Sequence, residues 1–239
     1  MRFTAHSGVQ SPRCNEFCNV IAVSLFDKTG VMLQPWHDAG VECHLFDVQH
    51  KAGSFQGNDG IWRHGYDLTN LPMPLLELIG EDIVFTSCFP PCQNLSVSGA
   101  RWMAGKGLRA LQQSISFFAT SAEFAELAGG KYLIENPVST ISTYWRESDH
   151  KFHPAWYAGY SGEEDNYTKE THLWTGHGFK MPPRKAYGDL LDGPDTTYIH
   201  HQAPGEERAN IRSATPKGFA LAVFQENYET SKAQKMQSV

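Results

Sequence analysis

Cys92 stands in the segment Phe89-Pro90-Pro91-Cys92-Gln93-Asn94-Leu95-Ser96, just beyond the apolar run Ile83-Val84-Phe85. Two prolines stiffen the backbone in front of the thiol, which suits a nucleophile held at a strand's carboxyl end. Farther along, Glu135-Asn136-Pro137 closes a second apolar run, Tyr132-Leu133-Ile134. A thiolate and a carboxylic acid together can add a nucleophile to an electron-poor ring and protonate that ring as it reacts. Cys92 alone reads as a small core residue. The prolines before it and Glu135-Asn136 after it turn the reading to catalysis, while Cys88 is expected in the core.

Such groups need elements to hold them. Val20 to Phe26 reads as a buried strand, followed by the turn Asp27-Lys28-Thr29-Gly30 and a helix to about Ala39 that Gly40 ends. Val41 to Asp47 is the next strand, and a shorter one leads to Asp67. Leu71-Pro72-Met73-Pro74 opens a short helix, Ile83 to Ser87 is the fourth strand, and Tyr132 to Glu135 the fifth. Between the last two, Leu108 to Leu127 has helical apolar spacing and is stopped by Gly129-Gly130. This alternation predicts an α/β fold, a mostly parallel Rossmann-like sheet with helices on both faces. Ligands of such sheets bind beyond the carboxyl ends of the strands, where Asp27, Asp47, Asp67, Cys92 and Glu135 all fall.

From about 139 to 207 aromatic, His, Pro and Gly residues crowd the chain, and only Thr171-His172-Leu173-Trp174 reads as a strand. The expectation is irregular loops with a small insertion at about 179–206. Thr215-Pro216 then caps a helix to about Tyr228, with Phe219, Ala222, Val223 and Tyr228 inward and the last ten residues frayed. The whole chain, 1–239, is expected to form a single domain.

Bulk properties narrow the classes. With 41% hydrophobic and 19% charged residues, the chain has the composition of a globular protein. No apolar run reaches the roughly 18 residues that span a bilayer, and Met1 to His6 carries no signal core. A cytoplasmic protein without membrane contact is expected. Five cysteines argue for reduced thiols rather than a disulfide framework. The net charge of −6 requires any DNA-binding face to be local, drawn from Arg101, Lys106 and Arg109, from Lys180, Arg184 and Lys185, or from Arg208, Arg212 and Lys217. Cys14 and Cys18 with His6 lack a second ligand pair at finger-like distance, so no metal site is expected.

Taken in chain order, these motifs resemble those of the cytosine-5 DNA methyltransferases, most of all the compact phage-type branch. Ser24 to Gly30 is similar to that family's opening cofactor loop, which implies cofactor contacts at Phe26, Asp27, Thr29 and Gly30. Asp47 stands where an acid takes the ribose hydroxyls, Asp67 where a side chain reads the adenine amino group, and Pro90 beside the cofactor. Pro91-Cys92-Gln93 with Leu95-Ser96 is similar to the nucleophile motif, and Glu135-Asn136-Pro137 to the motif whose acid meets the cytosine ring. Arg212 to Ala220 resembles the closing motif at the methionine end of the cofactor.

The resemblance implies an S-adenosylmethionine-dependent methyltransferase fold with a reduced target-recognition region. It implies S-adenosylmethionine as cofactor, DNA as partner with its cytosine flipped out or single-stranded, no obligatory protein partner, and an infected bacterium as host. Cys92 would add to ring carbon 6, Glu135 hold or donate the proton at nitrogen 3, and Asn136 position it. Gln93, Ser96 and Arg101 fall on the substrate side. The family's paired-arginine motif is not recognisable, and Lys169 in Thr168-Lys169-Glu170-Thr171 is its expected substitute. The opening loop keeps only Gly30 of the family's glycines, and the doubled proline is unusual for restriction-linked members. Because base readout needs surface, the short insertion implies specificity for one or two base pairs. Three other readings compete: the same chemistry on free cytidine nucleotides, an amino-group methyltransferase, and a catalytically idle DNA-binding protein.

Overall fold

The computed structural model describes residues 20–96, 103–188, 193–196 and 214–237. Eight strands form one sheet: β1 Ile21–Leu25, β2 Glu42–Phe46, β3 Gly53–Gln56, β4 Trp62–Gly65, β5 Ile83–Cys88, β6 Lys131–Pro137, β7 His150–Phe152 and β8 Thr171–Gly176. Their spatial order is β3-β4-β2-β1-β5-β6-β8-β7. The five strands from β4 to β6 run parallel, while β8 lies antiparallel between β6 and β7, and β3 antiparallel on β4. The chain builds β2 and β4 on one side of β1, then returns to lay β5 on the other. That reversal opens a crevice beyond the carboxyl ends of β1 and β5, the usual ligand position in doubly wound sheets.

Two apolar layers sandwich the sheet because its strands are buried on both faces. Ala22, Cys43, Leu45, Phe85 and Leu133 face the layer of α1 (Gln34–Asp38) and the C-terminal helix. Ile21, Val23, Leu25, Tyr132 and Ile134 face the layer of α2 (Met73–Leu76) and α3 (Met103–Ala128). Trp36 of α1 stacks on Phe85 at 4.5 Å and packs edge-on against Phe224. α3 is broken at Gly107, whose φ of 77° only glycine adopts cheaply, so the regular helix runs from Leu108 onward. Two single-turn helices follow, α4 (Ile141–Tyr144) and α5 (Ala158–Ser161), and α6 (Lys217–Gln237) closes the order.

Several expectations need correction. β3 and β7 have no counterpart in the sequence reading. β3 is a polar edge strand with alternating half-exposed and exposed residues, and β7 has three residues, so neither makes an apolar run. The helix expected up to Ala39 is a turn followed by five helical residues. α6 is helical to Gln237, well past the fraying expected beyond Tyr228. Residues 150–176, expected to hold one strand, carry β7, β8 and α5, so this stretch completes the sheet. No helix among the described residues is long and apolar enough to cross a membrane.

Candidate active site

A carboxylate organises the loop after β1. Asp27 Oδ1 accepts hydrogen bonds from the Thr29 N–H at 2.9 Å, the Thr29 hydroxyl at 3.1 Å and the Gly30 N–H at 2.7 Å. Its Oδ2 accepts from Ser24 Oγ at 2.9 Å, and Ser24 accepts from Ser87 Oγ of β5 at 2.9 Å. Both Asp27 oxygens are thus occupied in shaping the turn, and the residue is buried. Phe26 takes a φ of 56°, a costly value for a non-glycine that turns the backbone sharply out of β1. Its ring meets Phe117 of α3 edge-on at 5.3 Å. Gly30 has a φ of 73°, and a Cβ there would lie 2.8 Å from Leu45 Cδ1, so any other residue would strain the backbone and push Leu45 aside.

Acids close the next two strands. Asp47 follows β2, buried, with its Oδ1 accepting from the Gln49 N–H at 2.7 Å. Its Oδ2 takes no hydrogen bond from the described residues. Burial raises its carboxyl above the usual range, against the opposing pull of that N–H. Asp67, beyond β4, is exposed; its Oδ1 accepts from the Thr69 N–H at 2.9 Å and hydroxyl at 2.7 Å. Thr69 is pinned to α3 in turn, its carbonyl accepting from Ser116 Oγ at 2.9 Å.

The Cys92 loop leaves β5 on the other side of the crevice. Phe89 N–H still bonds the Leu25 carbonyl at 3.0 Å, then the prolines end the ladder. The Cys92 carbonyl accepts from the N–H groups of Leu95 and Ser96 at 3.0 and 2.9 Å, which folds the segment into a tight turn. Asn94 Nδ2 ties that turn to α3 through the Ala110 carbonyl at 3.1 Å and Ser114 Oγ at 2.9 Å. Lys106 Nζ adds a bond to the Gln93 carbonyl at 3.2 Å. Cys92 is half-buried, whereas Cys88 is fully buried and burial drives its thiol pKa far upward. Only Cys92 of this pair is placed to react.

Glu135 and Asn136 lie near the end of β6, paired with Leu173 and His172 of β8, just past the last β5–β6 pair, Cys88 and Ile134. Asn136 is buried, and its Nδ2 donates to the Pro90 carbonyl at 3.0 Å, fastening the end of β6 to the cysteine loop. Its Oδ1 is buried without a hydrogen-bond partner among the described residues. Glu135 Oε1 lies 3.6 Å from Lys169 Nζ, both side chains mostly buried. Glu135, Lys169, Phe89, Phe152, Thr215 and Phe219 line a small cleft between β6, β8 and the start of α6; Cys92 does not line it.

The remaining site residues fall around this centre. Pro90 is buried, Gln93 is exposed, and Ser96 bridges to Ser139 beside the β6 end. Arg101 lies outside the described residues, as do Arg208, Arg212, His6, Cys14, Cys18 and parts of the recognition insertion at 179–206. Arg184, in its described part, lies over the Trp156 ring at 3.4 Å, and Lys185 over Tyr160 at 5.3 Å. Among the described residues no group of three His, Cys, Asp or Glu side chains could hold a metal ion.

Sequence reasoning passed over two contributors. Asp165 Oδ2 accepts from the Gly218 N–H at 2.6 Å and from Ser161 Oγ at 2.6 Å, capping α6 from 53 residues away in sequence. Phe152 stacks on Phe219 at 4.0 Å and builds the cleft wall. Neither had a local signal; only the acidic run Glu163-Glu164-Asp165 hinted at a helix to cap. No known protein family matches the chain, and no curated protein resembles it significantly.

Proposed function

We propose that this chain is an S-adenosylmethionine-dependent DNA (cytosine-5)-methyltransferase. The observation that carries the reading is the buried bond from Asn136 Nδ2 to the Pro90 carbonyl, 3.0 Å long. It joins the loop of the nucleophile to the strand end of the acid, residues that the sequence separates by more than forty positions. A loop carrying a thiol, tied to the end of the neighbouring parallel strand that carries a carboxyl, suits addition to a pyrimidine.

The cofactor side is consistent in its chemistry. Asp47 offers a carboxylate oxygen without a partner among the described residues at the end of β2, suited to ribose hydroxyls, and Asp67 an exposed acceptor for an adenine amino group. The tight Phe26–Gly30 turn permits close backbone approach. Asp27 shapes that turn rather than reaching outward. When bound, the cofactor supplies an electrophilic methyl group.

The chain's own residues prepare cytosine to receive it. Cys92 adds as thiolate to ring carbon 6, which makes carbon 5 nucleophilic. Glu135 holds the proton at ring nitrogen 3 and offsets the charge that develops on addition. Lys169, 3.6 Å from Glu135, would take the ring carbonyl oxygen, a role the missing arginines leave open. The unpartnered Asn136 Oδ1 supports a donor group arriving beside Glu135, since buried acceptors are rarely left unpaired. After transfer, water removes the carbon-5 proton and the Cys92 bond breaks. The target carbon is closed within a duplex, so the base must be flipped out or single-stranded.

Bisulfite sequencing of DNA from cells expressing the protein tests the reading. Protected cytosines should appear in a short, relaxed sequence context, and expression of Cys92→Ala should leave none. Protection that survives in Cys92→Ala would refute the covalent route. Methyl transfer to free cytidine nucleotides but not to DNA would move the same chemistry to the smaller substrate.

A further inference from the structure

A second chemical array lies toward the β3 edge of the sheet, on the face covered by α2. Ser54 of β3, His64 of β4, and His44 and Glu42 of β2 form one unbroken hydrogen-bonded line. Ser54 Oγ is 2.8 Å from His64 Nδ1, His64 Nε2 is 3.0 Å from His44 Nδ1, and His44 Nε2 is 2.9 Å from Glu42 Oε1. A carboxylate only accepts, so His44 donates Nε2–H to Glu42 and presents a bare Nδ1. His64 must then donate Nε2–H to His44 and turn its own bare Nδ1 to Ser54. The serine hydroxyl therefore donates to a base that is oriented by two further groups. That is the relation between a serine nucleophile and its general base.

Sheet geometry sets this line. Gly57 N–H bonds the Ile61 carbonyl at 2.9 Å, closing the β3–β4 hairpin with a bonded pair. Counting back by the two-residue alternation makes Ser54–His64 the closely spaced, non-bonded pair. The backbone N–H of Ser54 then points to the open edge of the sheet, where β3 is the last strand. An N–H on the nucleophile itself is a usable donor for an oxyanion. Both imidazoles are buried and lie edge to edge with their planes 11° apart and centroids at 5.3 Å, while Phe46 stacks on His64 at 4.1 Å, so their ring planes are fixed. Burial, with the neighbouring His44 and His50, brings His64 down to about 4 and keeps it neutral, the form this line requires. Ser54, at the head of the line, is exposed.

The array opens into a cavity of about 260 Å³ lined by Trp62, Pro74, Leu78 and Glu77 besides the array itself. That volume is near the lower end of small-molecule sites, roughly 300–1,000 Å³. Beyond the array itself, Trp62, Pro74 and Leu78 give the cavity an apolar wall, and Glu77 adds an acid.

We infer that Ser54, His64, His44 and Glu42 form a second, esterase-type site for small carboxylic esters with an apolar group. Ser54 Oγ bonds the ester carbonyl carbon as its proton passes to His64 Nδ1. The bond to the alcohol oxygen then breaks, and the alcohol leaves with that proton. Water attacks the acyl carbon, giving a proton to His64; the Ser54 ester bond breaks, and His64 returns the proton to Ser54. Ester and water become acid and alcohol, with no other reactant. Ser54 and His64 are the catalytic residues; His44 and Glu42 position them.

The test uses the full-length chain with p-nitrophenyl acetate and, separately, an alkyl fluorophosphonate. Peptide mapping should place one phosphonyl adduct on Ser54, a position that also separates it from thiol modification. Ester hydrolysis should fall by about 100-fold in Ser54→Ala and in His64→Gln, the scale of a lost general base. Glu42→Gln should lower kcat with KM unchanged. The proposal is overturned by an absence of adduct at Ser54, or by hydrolysis that continues at the original rate in Ser54→Ala. Should His64→Gln fail to fold, Glu42→Gln, altered at the partly exposed end, decides: an unchanged kcat refutes the relay.

Discussion

Asp47 carries opposing demands at a single residue. Its carboxylate is buried at the end of β2, and burial raises its pKa, so the folded chain keeps that proton to higher pH than the unfolded chain does. The charge therefore costs nothing in strongly acidic solution. The cost grows as pH climbs from the ordinary carboxylate value near ~4 and is complete above the raised folded value. Asp47→Asn keeps an oxygen for the Gln49 N–H and removes the charge. At pH 7 the variant should unfold at higher urea concentration than the wild type, and the difference should close as pH falls toward 4. Its affinity for S-adenosylmethionine should drop roughly tenfold or more, the scale of a hydrogen bond to a charged group. Lower stability of Asp47→Asn at pH 7 would show that the buried carboxylate has a compensating partner. Asp27 differs because four internal donors, not burial alone, define its setting.

At the scale of elements, α6 sets the position of the cleft. Phe219, Ala220, Ala222 and Val223 recur at helical spacing and bury one face against α1, β7 and α5. The helix start is fixed by Asp165, whose carboxylate takes the Gly218 N–H and complements the positive end of the helix. A Cβ on Gly218 would come 2.2 Å from the Tyr157 carbonyl, so backbone meets backbone at this point. Asp165→Ala should cost about 1–2 kcal/mol in denaturant unfolding. It should also slow methyl transfer, because Thr215, Pro216 and Phe219 form one wall of the cleft with Glu135. Asp165→Asn should recover most of the stability. Equal stability of Asp165→Ala and the wild type would place the start of α6 under other control. This cap was illegible in sequence, because a carboxylate 53 residues from its helix leaves no local pattern. The strands β1, β5 and β6 were legible because burial on both faces gives them short apolar runs, and β2 because Leu45-Phe46 and the closing Asp47 mark it although Glu42 and His44 interrupt its apolar residues.

Over the whole molecule, strand order does what no short motif can. The reversal between β2 and β5 sets the Phe26–Gly30 turn after β1 next to the strand that leads into the cysteine loop, and the β5–β6 ladder with the Asn136–Pro90 bond ties that loop to the strand carrying Glu135. The acids at strand ends could be read from sequence because a parallel sheet collects its carboxyl ends on one side. The Ser54–Glu42 line could not be read, because its residues lie on three strands, and the β2–β4 pairing and β3 itself appear only in the folded sheet. The two edge strands, β3 and β7, escaped for a related reason: short or polar strands are set by their neighbours rather than by their own composition. With a net charge of −6, the proposed DNA contact would rest on local cations such as Arg184 and Lys185, held over aromatic rings. The central claim is a transient bond between Cys92 sulfur and cytosine. It is tested most directly with DNA in which 5-fluorocytosine replaces cytosine, incubated with the protein and S-adenosylmethionine and run on a denaturing gel. Fluorine at carbon 5 blocks the release step, so the account predicts a cofactor-dependent covalent complex that disappears in Cys92→Ala. No complex with the wild-type chain, or an equal complex with Cys92→Ala, would contradict it.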